Sequence, residues 1–259
     1  MSNSSLRVSA PPRLIAALCF VGALHAQDAR QIVEESQRRG RADSQRYEGV
    51  LEVAAADGKT SSKSWKSLRL GSYGNSKAVI RFSAPAEVKG VALLIVNHPD
   101  RASDQWMWTP AIARDRRIAL QDRTTRFFGT DFSFEDLEER DVDQYDFKLT
   151  GEETLDGVMC WRIEARPRQS KGSQYNLSRI WIRKDHYVAI QYENFIKEQL
   201  VRRLHATDVE NVQGIWTAST LEMTDLRRKS RTTLRMQKLE YNVPLKDDEF
   251  TVQALRREQ

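Results

Sequence analysis

Cysteine is nearly absent from the chain, with only Cys19 and Cys160 in 259 residues. That excludes a disulfide-stapled scaffold and any cysteine-rich zinc module. Histidine is almost as scarce, with four in all, and three of them (His98, His186 and His205) lie beyond residue 26. They form no H-x-x-x-H pair, and neither a G-x-S-x-G elbow nor a phosphate-binding loop is present. Asp141-x-Asp143 lacks the glycine and terminal glutamate of a calcium loop. Each histidine therefore reads as a surface or satisfied strand residue. No metal, cofactor or catalytic residue is assigned.

Long apolar runs are missing too. The longest is Leu14 to Leu24, too short to span a bilayer but well suited to the core of a secretory signal. Arg7 and Arg13 flank it, no acid precedes Asp28, and Ala26 supplies a small residue before a cut. We expect residues 1–26 to be a signal peptide cleaved after Ala26, which directs the chain to the periplasm. Its removal lowers the Lys and Arg count from 41 to 39 against 36 acids, and leaves Cys160 without an intramolecular partner. So thin a basic excess, in an exported protein, argues against nucleic acid as a partner.

The remaining chain alternates. A helix is expected from Ala29 to Gly40, with Asp28 able to cap it. Two-residue periodicity then takes over: Tyr47, Gly49, Leu51 and Val53 form one face, and Asp57-Gly58 marks a hairpin. Further strands are expected at Trp65–Leu70, Ala78–Phe82 and Val91–Val96, the last apolar enough to be covered on both faces. The pattern resumes at Tyr145–Leu149, turns at Asp156-Gly157, and continues at Met159–Ala165. Strands around Ile180–Ile182, Val188–Tyr192, Leu221–Met223 and Leu234–Val243 complete it. A change of parity between Met236 and Leu239 predicts a bulge or strand end. About ten short strands without a linker or repeat indicate one mainly β domain, with a few helices, over residues 27–259.

One stretch breaks this pattern. Arg114, Arg116, Arg117, Arg123 and Arg126 precede the run Phe127–Leu137, which carries four Phe and one Leu. Seven acids follow: Glu135, Asp136, Glu138, Glu139, Asp141, Asp143 and Asp146. Asp131 or Ser133 can cap a short helix through Leu137 to Arg140. The acids read as a solvated face or as partners of the five arginines. Leu226 to Arg231 is a second basic cluster, expected as a solvated hairpin with a capacity for transient contact with anionic headgroups.

As an ordered set, several segments resemble the outer-membrane lipoprotein-sorting family, and in particular its larger LolA-like branch. They are Lys89-Gly90-Val-Ala-Leu93, Gln105-Trp-Met-Trp108-Thr-Pro110, Arg116-Arg117-Ile118 and Phe128-Gly129-Thr-Asp131-Phe-Ser-Phe134-Glu-Asp136-Leu137. Later matches are Gly157-Val-Met-Cys-Trp161-Arg-Ile, Pro167, Tyr175, Trp181-Ile182 and Phe250-Thr-Val. The resemblance spans nearly all of residues 28 to 252. It implies a half-open, highly curved antiparallel β-barrel with a helical lid or plug, and a carrier that holds lipoprotein acyl chains or another lipid on its apolar concave face. It also implies an alternative: an accessory subunit docking on an inner-membrane transporter of the resistance-nodulation-division (RND) or MMPL type, with the charged stretch 114–146 as its docking face. The key arginine of the shorter lipoprotein carrier matches no definite position here.

Together these readings give a hydrophobic ligand site made of Trp106, Trp108, Phe127, Phe128, Phe132, Phe134 and Leu137. Trp106 and Trp108 share one strand face and are either cavity wall or core. The Phe-rich segment would close over the concave face as a lid displaced by acyl chains, with Phe128, Phe132 and Phe134 facing inward and Gly129 as its pivot, or else its Phe side chains are permanent core. Trp161, Trp181 and Cys160 are assigned to the core.

Overall fold

The computed structural model describes residues 28–257; the expected signal peptide, with Cys19 and Ala26, lies outside them. Helix α1 spans Ala29–Arg39 and is followed by six strands: β1 (Ser44–Ala54), β2 (Thr60–Leu70), β3 (Lys77–Ala84), β4 (Ala92–Val96), β5 (Asp104–Thr109) and β6 (Arg114–Arg117). A connection with only 3₁₀ turns, residues 118–144, leads to seven more. These are β7 (Tyr145–Leu155), β8 (Val158–Pro167), β9 (Leu177–Arg183), β10 (Ala189–Ile196), β11 (Gln199–Val212), β12 (Ile215–Asp225) and β13 (Ser230–Tyr241). A four-residue helix, α2 (Val252–Leu255), ends the described chain.

All thirteen strands join one antiparallel sheet in the order β6-β5-β4-β3-β2-β1-β13-β12-β11-β10-β9-β8-β7. Two meanders are thus sewn together where β1 pairs with β13, from Gln45 opposite Tyr241 to Ala54 opposite Arg231. The two outermost strands, β6 and β7, do not pair with each other, so the barrel stays open. They are nevertheless consecutive in the chain. Laid flat, thirteen strands at about 4.8 Å spacing would put them roughly 58 Å apart. The connection spans that separation by crossing the inside of a curved sheet, and the curvature matches the half-open barrel expected.

Alternation decides which side chains face the trough. Along β1, Tyr47, Gly49, Leu51 and Val53 are buried while Arg46 and Glu52 are exposed. Tyr47 and Leu51 join Trp65, Ile80, Phe82, Leu93, Ile95 and Leu234 in the inner core. Strand β4 is covered on both faces, as its unbroken apolar run predicts. Leu93 and Ile95 point inward, and Ala92 and Leu94 pack outward with Phe250 and Leu255. The short C-terminal helix therefore seals the outer face over β4, a role that the sequence pattern does not reveal. A second inner core joins Ile32 and Val33 of α1 to Tyr145, Trp161, Ile163 and Ile182. Cys160 is fully buried beside Trp181 and Ile190.

The parity switch in β13 is a bulge. Arg46 pairs with Glu240 but Glu48 with Gln237, and Lys238 there takes a left-handed φ of 51°. Asp57-Gly58 and Asp156-Gly157 both lie in hairpin turns. Strands β6 and β11 were not expected. The first is four residues containing three arginines, and the second carries charges on both faces along much of its length.

Gly49 is required by packing. A Cβ there would stand 2.2 Å from Trp65 Nε1 and 2.8 Å from a Leu234 methyl, because the Trp65 ring lies directly over the strand. Gly49→Ala should therefore push Trp65 out of place and cost about 1–3 kcal/mol. Urea unfolding followed by tryptophan fluorescence would measure it, and an unchanged midpoint would refute the close contact.

Candidate functional site

The crossing connection is the centre of the molecule. Phe127, Phe132 and Phe134 are 0%, 3% and 5% exposed. Phe127 stacks on Phe82 with centroids 5.2 Å apart and meets Phe134 edge-on at 5.4 Å. Trp65 completes the cluster at 6.3 Å from Phe127. Each such pair adds about 0.5–1.5 kcal/mol beyond burial itself. The segment lies against the sheet as expected, and its aromatics are buried. That burial is common to a permanent plug and to a lid closed without ligand.

Charge fixes the plug further. Asp131 is fully buried and accepts hydrogen bonds from Ser230 Oγ at 2.5 Å and Thr232 Oγ1 at 2.8 Å, both on β13. Asp136 accepts from Arg202 of β11 at 2.7 Å and from the Tyr175 hydroxyl at 2.8 Å. Glu138 receives the Arg123 guanidinium, Lys171 at 2.5 Å and Gln105 Nε2 of β5 at 2.8 Å. Glu139 holds Arg69 of β2 and the Tyr73 backbone N–H, each at 2.8 Å, together with the Ser76 hydroxyl. Arg140 donates to Ser178 of β9 and Asn194 of β10, both at 3.0 Å, and stacks over Tyr192. The segment is thus tied to both halves of the sheet.

These contacts correct two expectations. Most of the acids are not a solvated face: Glu135, Glu138 and Asp141 are buried, and the Asp136 side chain is only 2% exposed, while Asp143 and Asp146 stay in solvent. Nor are most of them partners of the preceding arginines. Only Arg123 reaches the acidic run, while Arg114, Arg116 and Arg117 stay exposed. The expected helix to Arg140 is also only a 3₁₀ turn, Glu135–Leu137. Ser133, not Asp131, accepts at its start, from Asp136 N at 3.3 Å.

Burial raises the pKa of Glu135, a shift that the Ser173 hydroxyl and the Gln174 N–H oppose by hydrogen bonding its carboxylate. Burial alone would lower that of Lys171, but the Glu138 carboxylate outweighs it and the ammonium is stabilised. The two acids therefore differ in consequence. Glu138→Ala strands Arg123 and Lys171 as buried, unpaired cations and should cost about 3–5 kcal/mol. Glu135 binds its proton more tightly folded than unfolded, so its charge weighs against the fold above its raised pKa, and that cost is relieved as pH falls through it. Glu135→Gln should accordingly leave the pH 7 midpoint unchanged or higher. Thermal melts of the two variants test the contrast.

The plug fills only part of the trough. The rest is a mainly apolar cavity in two adjoining lobes that share Ser36, Tyr73, Asp136, Ala189, Tyr192 and Leu204; Glu138, Arg140 and Asp141 also line one lobe, and Arg39, Arg69 and Glu139 the other. One, about 220 Å³, lies between α1 and the β7–β10 face, against Val33, Tyr145 and Ile180. The other, about 420 Å³, is walled by Trp65, Ile80, Leu221, Leu234 and Met236, with Phe132 and Leu137 of the plug as its floor. Its lining runs from β3 to β10, six places along the sheet, so the sheet wraps around it. The mouth lies beside Gly40, where Trp216 stacks on His186 at 3.6 Å and Arg39 lies over Tyr187 at 4.1 Å.

Of the seven expected ligand-site residues, Phe132 and Leu137 line this cavity. Phe127 and Phe134 support it from the core, and Phe128 is half-buried at the tip of the plug. Trp106 and Trp108 are not brought to it. They pack on the opposite face of the sheet, with Phe250 and Leu94 under the C-terminal helix. Tyr192, Leu221 and Met236 were legible as strand positions by parity, but nothing local marks them as cavity lining. Trp216 carried no signal at all. His98 and His205 lie outside the cavity, beside Asp104 at 3.0 Å and Asp156 at 2.6 Å.

An open, curved antiparallel sheet enclosing a mainly apolar cavity defines the class of half-open barrel proteins. A family model described only as "-like: Uncharacterized protein" matches residues 74–257. The chain belongs to that family. It is similar to a DUF1329 family protein from Desulfovibrio piger, at 28% identity and TM-score 0.83 over 88% of this chain and 97% of that one. A putative outer membrane lipoprotein-sorting protein domain from Vibrio parahaemolyticus shares the fold at 24% identity, TM-score 0.84, and coverage of 88% and 98%. So does a LolA superfamily protein from Nitrosomonas europaea, at 20%, 0.70, and 88% and 99%. Among curated proteins none matches the chain.

Replacing Phe132 and Phe134 together with Ser separates plug from lid. As core, the double variant should lose its cooperative melting transition in circular dichroism; a normal melt with weaker acyl-probe binding would restore the lid.

Proposed function

We propose that the protein is a non-catalytic periplasmic carrier. It sequesters a lipophilic cargo, lipoprotein acyl chains or a free lipid, for transfer toward or from the outer membrane. The observation that carries this reading is the two-lobed cavity, in which the plug leaves apolar sheet side chains without partners. The fold it shares with a putative outer membrane lipoprotein-sorting protein domain and a LolA superfamily protein agrees with it. Each methylene buried there is worth about 0.8 kcal/mol, so some ten of them supply about 8 kcal/mol before the cost of association. That is enough to hold a chain and small enough to release it.

The alternative, an accessory subunit docking on an RND or MMPL-type transporter through residues 114–146, is less well supported. Glu135, Asp136, Glu138 and Asp141 of that stretch turn inward, and Asp136 and Glu138 tie the plug to the rest of the chain, which leaves Arg114, Arg116, Arg117, Asp143 and Asp146 as its exposed charges.

The carrier reading predicts co-purifying lipid, detectable by mass spectrometry of extracts from natively purified protein. Ala189 touches both lobes, so Ala189→Phe should fill the passage between them. Affinity for a fluorescent fatty-acyl probe should fall at least tenfold, with the melting transition retained. Absence of lipid together with no probe binding by the parent would overturn the proposal.

A further inference from the structure

Two chain tips meet at the end of the sheet remote from the cavity mouth. One is the β12–β13 hairpin, Leu226-Arg-Arg-Lys229. Its backbone is set by Asp225, which accepts from the Arg227 and Arg228 N–H groups at 3.1 Å each, and by Leu226 N–H donating to Val201 O at 3.0 Å. The other is the Phe127–Thr130 turn of the plug, in which Phe128 and Gly129 both take left-handed φ angles of 45° and 76°. A Cβ on Gly129 would meet nothing, so that glycine serves the turn and the tip stands free. Ser230 and Thr232 hold Asp131, only two residues beyond Gly129, and so bind the tips side by side.

Together they present a half-buried Phe128, a Leu226 that is 37% exposed, and a run of cations. The nearby acids do not cancel these. Asp225 is buried and already faces Arg202, so it lies only at the edge of contact with Arg227 and Arg228, at 4.0 Å. Asp131 is buried against Arg126, and Glu222 faces Arg231 at 3.6 Å. Arg227, Arg228 and Lys229 are exposed, three cations against the single buried Asp225 that Arg227 and Arg228 share with Arg202.

We infer that these adjoining tips are a docking site for an anionic lipid surface, with Leu226 entering the headgroup boundary and Arg227, Arg228 and Lys229 meeting lipid phosphates. Chemistry selects this occupant: an exposed apolar Leu226 beside clustered cations suits an acyl boundary rimmed by anionic headgroups. Neither contribution anchors a protein firmly alone, and the pair gives reversible attachment. The inference goes beyond the carrier reading and does not depend on the cavity being filled.

Co-sedimentation with vesicles tests it. The folded protein should partition onto vesicles of phosphatidylglycerol and phosphatidylcholine, weakly or not at all onto phosphatidylcholine alone, and less as salt is raised. Replacing Arg227, Arg228 and Lys229 with Gln should weaken partitioning on the order of a hundredfold, about fivefold per cation. Leu226→Ser should weaken it about tenfold. Both changes lie at an exposed turn, and unchanged melting curves confirm that the fold is intact. Acyl-probe binding in vesicle-free solution should be unaffected, so failure here is distinguishable from failure of the carrier reading. Equal partitioning onto neutral and anionic vesicles, no loss in the Gln variant, or binding to a soluble polyanion such as heparin without binding to vesicles would each overturn the inference.

Discussion

The structure depends on one topological demand: residues 118–144 must connect the two free edges of a thirteen-stranded sheet. A segment crossing the inside of a curved sheet is removed from water, and its backbone and side chains need partners there. Paired charge and clustered aromatics meet that need. Glu138 between Arg123 and Lys171, and Asp136 beside Arg202, each place a carboxylate against a cation with both desolvated. Such pairs add little net stability compared with apolar packing, but breaking one is costly, so they penalise every other placement of the segment. Here the ion pairs set register more than they supply strength.

The same arrangement explains why a cavity exists. The aromatics of the plug cluster near Phe82 and Trp65, and their burial completes the core on that side. From Leu137 onward the segment is polar and charged, and it bonds outward to strand side chains instead of packing inward. The apolar face of β10–β13 is then left without a cover, apart from α1 at one edge. A gap walled by Leu221, Leu234 and Met236 is the geometric consequence of a connection that is aromatic first and charged afterwards.

Much of this was legible in the sequence where physics is local. Tyr47, Gly49, Leu51 and Val53 gave the inward face of β1, the run at Leu93–Ile95 gave a strand covered twice, and the parity change after Met236 marked a real bulge. The Phe-rich segment was placed correctly against the sheet. What local pattern could not supply was the partner of each charge. Glu138 reads as part of an exposed acidic run because Lys171 is 33 residues away, and Asp136 because Arg202 is 66 away. Whether Trp106 and Trp108 are cavity wall or core was open for a related reason. Their shared parity is plain, but which face they occupy is set by Phe250 and α2, more than a hundred residues later.

A plug held by buried charge constrains how any cargo could exchange. Moving it would separate Glu138 from two cations and Asp136 from Arg202 within a desolvated interior, at several kcal/mol for each broken pair. Exchange through the opposite end asks for much less. There the cavity is bounded by the Trp216–His186 stack and by Arg39 over Tyr187, side-chain contacts at the surface that rotamer changes can open without touching the sheet. On the carrier reading, the immobile plug and the loosely closed mouth are complementary. The plug keeps the empty trough from collapsing, and the mouth lets a chain slide along its axis.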